Sequence, residues 1–172
     1  MRTPASLDSA VDLDVLGDLL SFYMRTITIA LSRDLDRRLE GLEVARGTGK
    51  VITLLLVDSH PGIRPSVIAR LSSKSQPEIG RIVDRLVKAE LIERRIAQEE
   101  RRAHELFITE EGQQVADKVR KLATAQSEDF FSHLDANDQR QLMRILKTSY
   151  RRIVGMESVS DKPSASLTGP KS

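Results

Sequence analysis

Between Ser75 and Thr109 the chain changes its apolar period twice, and this limits its fold more than any other feature. Ser75 is followed three positions on by Glu78, the spacing of a capping box that opens a helix. Ile79, Ile82, Val83, Leu86 and Val87 then recur every three or four residues, the stripe of an amphipathic helix. Arg81, Asp84, Arg85 and Lys88 occupy the opposite face. After this helix the pattern turns to alternation. Leu91, Ile92, Arg94 and Ile96 begin one strand, and His104, Leu106 and Ile108 line another. The residues between them, Ala97 to Ala103, are almost all polar and hold the pair Arg101-Arg102. Thr109-Glu110-Glu111 restores the helical period and caps a helix predicted to run to about His133, with Val115, Val119, Leu122 and Ala123 on one face.

Upstream, Arg64-Pro65 opens a short helix to about Leu71, with proline suited to the first helical position. Ser72-Ser73-Lys74 is the turn. Two short helices around a tight turn, the second basic and capped, make a helix-turn-helix, and the hairpin with a basic tip makes its wing. A buried helix is predicted over Thr48 to Asp58, ended by His60-Pro61-Gly62. The first helix reads from Val11 to Leu39, with Leu16, Leu20, Tyr23, Ile27, Leu31, Leu35 and Leu39 as its stripe. Such a helix is about 45 Å long, more than a small domain is wide, so it must either project or bury part of its stripe against another chain, and the second option suggests dimerisation. Asp135 and Asp138 start a last helix, with Leu142, Ile145, Leu146 and Ile153 along one face.

The expected fold is therefore mostly α with a small β-hairpin wing: a winged helix-turn-helix joined to a helical dimerisation region. Residues 48–109 form the DNA-binding unit, and 11–47 with 110–154 the dimerisation region. Residues 1–10 and 155–172, rich in small and polar types, read as disordered termini.

Charge and composition narrow the function. The net charge is only +2, but residues 64–102 hold ten Lys and Arg against six acids, so a basic middle lies between acidic flanks. Cysteine is absent, which excludes disulfides, thiolate metal sites and thiol redox sensing. His60, His104 and His133 lie in different elements without paired-ligand spacing, so no metal is expected. There is no glycine-rich phosphate loop and no nucleophile motif, so neither catalysis nor a cofactor is expected. No run of about 18 apolar residues suits a membrane span, and Met1-Arg2-Thr3-Pro4 lacks a hydrophobic signal core. The expectation is a cytoplasmic protein with no membrane partner.

The run Ile82-Val83-Asp84-Arg85-Leu86-Val87-Lys88-Ala89-Glu90-Leu91-Ile92-Glu93-Arg94 resembles the recognition helix and strand start of the MarR-type (multiple antibiotic resistance regulator) winged-helix repressors. Glu99-Glu100-Arg101-Arg102-Ala103 and Leu106-Phe107-Ile108-Thr109-Glu110-Glu111-Gly112 are similar to that family's wing and following helix start. The likeness spans roughly residues 12–153. It departs in two places. Glu90 stands where the family usually has glycine, and Glu100 where it usually has aspartate.

The helix-turn-helix geometry puts the start of its second helix in the major groove. That selects Ser73, Lys74, Ser75, Gln76 and Pro77, with Arg81 one turn on and Arg85 beyond it. Gln76 suits adenine, and Lys74 or Arg81 suits guanine or phosphate, while Ser75 and Glu78 are also needed as caps. Exposed helix-face residues would look the same. The resemblance implies that one wing arginine enters the minor groove, held by the acid beside it. Arg102 is assigned there, Arg101 to phosphate and Glu100 to orientation, although the two arginines are interchangeable on sequence.

The resemblance further implies a homodimer on a pseudo-palindromic operator, and a repressor released by a small aromatic or carboxylate effector. Phe22, Tyr23, Arg25 and Thr26 are the effector-site candidates, Tyr23 fitting the apolar stripe equally well. The competing reading is a winged-helix module that binds protein and no DNA.

Overall fold

The computed structural model describes residues 11–96 and 104–160. After a 3-10 turn at Asp14–Asp18 come α1 (Leu20–Arg38), α2 (Thr48–Ser59), α3 (Pro65–Ser72) and α4 (Gln76–Lys88). The antiparallel strands β1 (Ile92–Ile96) and β2 (His104–Ile108) follow, then α5 (Glu110–Phe130) and α6 (Ala136–Ser160).

The expected caps are in place. Ser75 Oγ accepts from the Glu78 amide at 3.3 Å, and Thr109 Oγ1 from the Gly112 amide at 2.9 Å. Asp135 Oδ1 accepts from the amides of Asn137 and Asp138 at 2.7 and 2.8 Å, which starts α6. The capping box is closed on one side only. The Glu78 carboxylate takes the Lys74 ammonium instead, since a cation one turn away offers a charged partner.

The core sits between α2, α4, α5 and the hairpin. Leu54, Ile68, Ile79, Val83, Leu86, Ile92, Leu106 and Val119 are all fully buried there. Burying one such side chain contributes about 1.5–3 kcal/mol. The hairpin pairs Ile92 with Ile108, Arg94 with Leu106 and Ile96 with His104. Ile63, just ahead of α3, adds a single rung against Leu106, through Leu106 N–H to Ile63 O at 3.1 Å and Gly62 N–H to Leu106 O at 2.9 Å. The hairpin is thus stitched to the start of the helix-turn-helix, a link the sequence pattern did not disclose.

Three boundaries differ from expectation. The first helix starts at Leu20 and not at Val11, because Leu19 is extended at φ −95°, ψ 109°. Ahead of it, Asp12 Oδ1 accepts from the Asp14 amide at 2.9 Å, a local bond that competes with helix, and Gly17 adds a weak helix former. The fifth helix ends at Phe130 rather than near His133, in a turn where Ser132 Oγ donates to Asp129 O at 2.8 Å. The sixth extends to Ser160, past the predicted ordered limit of 154, with the next proline in the chain only at Pro163. The other residues expected to be disordered, 1–10 and 161–172, lie outside the described residues.

Glu90 occupies the left-handed region at φ 58°. Glu90 N–H donates to Val87 O at 2.9 Å and Leu91 N–H to Leu86 O at 3.0 Å, the paired bonds of a Schellman helix end. Thr109 Oγ1 donates to the Glu90 carbonyl at 2.7 Å, which holds the strained residue from the far side of the hairpin. A glutamate therefore adopts the backbone that glycine usually supplies. Gly112, by contrast, has no substitute. A Cβ there would lie 1.9 Å from Leu91 O, where α5 crosses the start of the hairpin.

Candidate nucleic-acid interface

The helix-turn-helix is α3, a turn at Ser73–Ser75, and α4. Ser73 turns the chain in the left-handed region at φ 50°, with Lys74 N–H donating to Ala69 O at 3.0 Å. Burial of Ile79, Val83 and Leu86 fixes the rotation of α4 about its axis. Its first turn and outer face are thereby presented to solvent. Ser73, Ser75, Gln76, Pro77, Arg81 and Arg85 are exposed, and Lys74 is half-buried beside Glu78. Arg81 Nε donates to Pro77 O at 3.3 Å. This bond lays its guanidinium back along the turn that carries Gln76.

Asp84, the neighbour of Arg85, pairs instead with Arg94 of β1 at 2.5 Å. Arg85 has no ion-pair partner among the described residues and is available to an external anion. The Arg94–Asp84 pair braces the hairpin against α4 and was not foreseen. Arg95 pairs with Glu93, and its guanidinium lies 4.2 Å over the Phe107 ring, so the hairpin stem carries its own ordered cations. Glu100, Arg101 and Arg102, assigned to the wing tip, lie outside the described residues.

The sequence reading also missed the far wall of the site. Arg46 and Lys50 line a cleft of about 450 Å³ together with Lys74, Arg81 and Arg85 of the helix-turn-helix. No periodic signal marks them, because Arg46 stands in the link before α2. Only the packing of α2 on α4 brings them to this face.

The effector candidates lie on the first turns of α1. Phe22 is half-buried, with its ring edge-on to Tyr23 at 5.4 Å between centroids. Tyr23 Oη donates to Gly17 O at 3.1 Å and Thr26 Oγ1 to Phe22 O at 3.0 Å, both local bonds, and Arg25 is exposed. Further along α1, Arg33, Arg37 and Arg46 border a hollow of about 750 Å³ with Phe130 of α5. Among the described residues there is no cluster of His, Asp and Glu able to hold a metal, and no helix long and apolar enough to cross a membrane.

Residues 45–103 match the MarR family. Among solved structures, the transcriptional regulator SlyA superposes with a TM-score of 0.73 at 20% identity, over 86% of this chain and 99% of that one. The repressor CouR bound to a 23-mer DNA duplex gives 0.71 at 25% identity, over 82% and 99%. CouR from Rhodococcus jostii RHA1 bound to p-coumaroyl-CoA gives 0.70 at 17% identity, over 80% and 95%. No curated protein matches by sequence. Residues 45–103 thus carry the likeness to the MarR family, and the helices around them complete the fold shared with these solved regulators.

Proposed function

We propose that this protein is a homodimeric, sequence-specific DNA-binding repressor whose α4 reads the major groove of a pseudo-palindromic operator. The carrying observation is the orientation of α4. Its apolar stripe is buried, so Arg81 and Arg85 are held on the outward face, while Gln76 is exposed in the first turn. Gln76 suits adenine; the arginines suit guanine or the flanking phosphates. Arg101 and Arg102 complete the grip from the wing, with Glu100 beside them. CouR, of the same fold, binds duplex DNA.

The dimer is supported by apolar surface that one chain leaves uncovered. Leu20, Met24 and Ile27 of α1 and Met143, Ile145 and Ile153 of α6 are all exposed. Such a surface marks an interface, and residues 11–47 with 110–154 are its frame. Two recognition helices should then sit about 34–36 Å apart, one turn of DNA. An aromatic or carboxylate effector is assigned to the junction of α1 with the DNA-binding lobe, with Phe22, Tyr23, Arg25 and Thr26 as its residues. The likeness to CouR, which takes p-coumaroyl-CoA, supports that class of ligand. Such an effector releases DNA only by favouring a different spacing of the two α4 helices.

Selection of bound fragments from genomic DNA, with and without aromatic acids, tests the whole reading. Enrichment of a pseudo-palindrome that aromatic acids abolish is the expected result. Log affinity should fall with log salt at a slope of about −7 to −9, for four or five phosphates per protomer. Arg102→Ala should weaken binding without altering dimerisation, and Gln76→Ala should relax one base per half-site. Indifference to duplex at low salt would instead make the winged helix a protein-binding module.

A further inference from the structure

The cleft between α2 and α4 combines cations from two separate parts of the chain. Lys74, Arg81 and Arg85 come from the helix-turn-helix, Arg46 from the link before α2, and Lys50 from the first turn of α2. One carboxylate, Glu78, lines the same cleft, and it is already paired with Lys74. Arg46, Arg81 and Arg85 are exposed, and among the described residues no carboxylate forms an ion pair with any of their guanidinium groups, Asp36 Oδ1 accepting only from the Arg46 backbone amide at 2.9 Å. Lys50 is half-buried and its ammonium donates to Glu43 O at 2.5 Å, which ties it to the link without neutralising it. Like charges gathered in one cleft repel each other, and an anion seated there relieves the repulsion.

Close packing creates this arrangement. Gly49 is buried where α2 meets α4, and a Cβ there would lie 2.7 Å from Ile82 Cδ1 and 3.1 Å from Lys74 Cε. Glycine lets the first turn of α2 approach α4 closely, which places Arg46 and Lys50 opposite Arg81 and Arg85. The cleft therefore runs beside the face of α4 assigned to the groove.

We infer that this cleft seats a backbone phosphate of the duplex that α4 enters, and that Arg46 and Lys50 are phosphate-binding residues. The inference rests on the DNA-binding reading and adds two positions to it. Such contacts fix the protein's position and carry no base preference. Arg46 gives an unusually clean test, because it lies in the left-handed region at φ 57°. Glycine is at ease in that conformation, so Arg46→Gly removes the charge while relieving backbone strain.

Fluorescence anisotropy would compare the wild type, Arg46→Gly, Lys50→Gln, Gln76→Ala and the control Lys118→Gln on exposed α5. Two duplexes of equal length serve as probes, the fragment selected by the wild type and an unrelated one. Arg46→Gly and Lys50→Gln should each weaken both duplexes about fivefold at 0.15 M salt and reduce the salt slope by about 1. Base preference should stay unchanged, and the melting temperature of Arg46→Gly should hold or rise. A structural role for Arg46 would move stability and affinity down together, against this expectation. Wild-type affinity and slope in both variants, or a loss no larger than that of Lys118→Gln, would overturn the phosphate seat. If Gln76→Ala still relaxed base preference in that case, the DNA-binding reading would stand. A wild type that binds neither duplex at low salt would sink both.

Discussion

Helices α4 and α6 carry the same kind of apolar stripe, yet one chain buries only one of them. In α4, Ile79 and Val83 are 0% exposed and Leu86 is 1% exposed, whereas in α6 Ile145, Leu146 and Ile153 are 51%, 41% and 51% exposed. The α4 stripe lies on α2 and α3 of its own chain. That of α6, like the outer face of α1, has nothing of the same chain over most of it. A spacing of three or four residues thus demands a partner without saying which chain provides it. The winged helix buries its own stripe; in the proposed dimer a second copy would cover the stripes of the helical arms.

Two contacts tie the arms α1 and α5 together, and a third joins α5 to the winged helix. Arg38 of α1 bonds Asp34 at 2.8 Å and Asp129 of α5 at 2.9 Å. Buried Gln126 of α5 donates to Leu31 O of α1 at 2.6 Å. Asp58 at the end of α2 is paired with Arg120 of α5. On the proposed function, α5 is the element through which an effector held by the arms would act on the unit that carries α4.

The contrast can be broken at several points, and the winged helix should suffer most. Gly112→Ala drives a methyl into the Leu91 carbonyl and should lower stability by more than about 3 kcal/mol, seen as an early thermal transition and lost DNA binding. A normal melt for this variant would mean that the junction of hairpin and α5 is looser than its contacts indicate. Next comes the arm surface. Ile27→Asp with Ile145→Asp should leave the winged helix folded but raise the dimer dissociation constant at least a hundredfold, by sedimentation equilibrium, as two buried carboxylates would cost about 3 kcal/mol or more. Unchanged mass at micromolar concentration would locate the interface elsewhere.

Smaller changes sharpen the comparison. Glu90→Gly relieves the left-handed strain at the end of α4 and should add about 1 kcal/mol to stability, read from denaturant midpoints. The smallest effect is expected at the tether. Hydrogen bonding by the Arg38 guanidinium, with help from Arg37, holds the Asp34 carboxyl below its ordinary value of 3.8. A depressed carboxylate contributes stability above its unfolded value and loses it as pH falls through its folded one. Asp34→Asn should therefore melt slightly earlier near neutral pH, and its gap from the wild type should close as the pH drops below about 3.8. A gap that persisted in acid would point to packing rather than charge.

The sequence by itself determined the elements and the capped starts of several of them. Ser75, Thr109 and Asp135 cap helices because a side-chain oxygen within three residues can reach a free amide, and that geometry is local. The change from helical to alternating period marked the hairpin for the same reason. Only the tertiary structure decided what meets what: Arg94 with Asp84, Ile63 with Leu106, and Arg46 and Lys50 beside Arg81 and Arg85. These contacts depend on how closely helices pack, as at Gly49, and no short window of sequence contains that distance. Glu90 shows the limit from the other side. Sequence marked it as a departure, and only the folded chain showed that a glutamate accepts the glycine conformation, because the helix-end bonds and Thr109 hold it there.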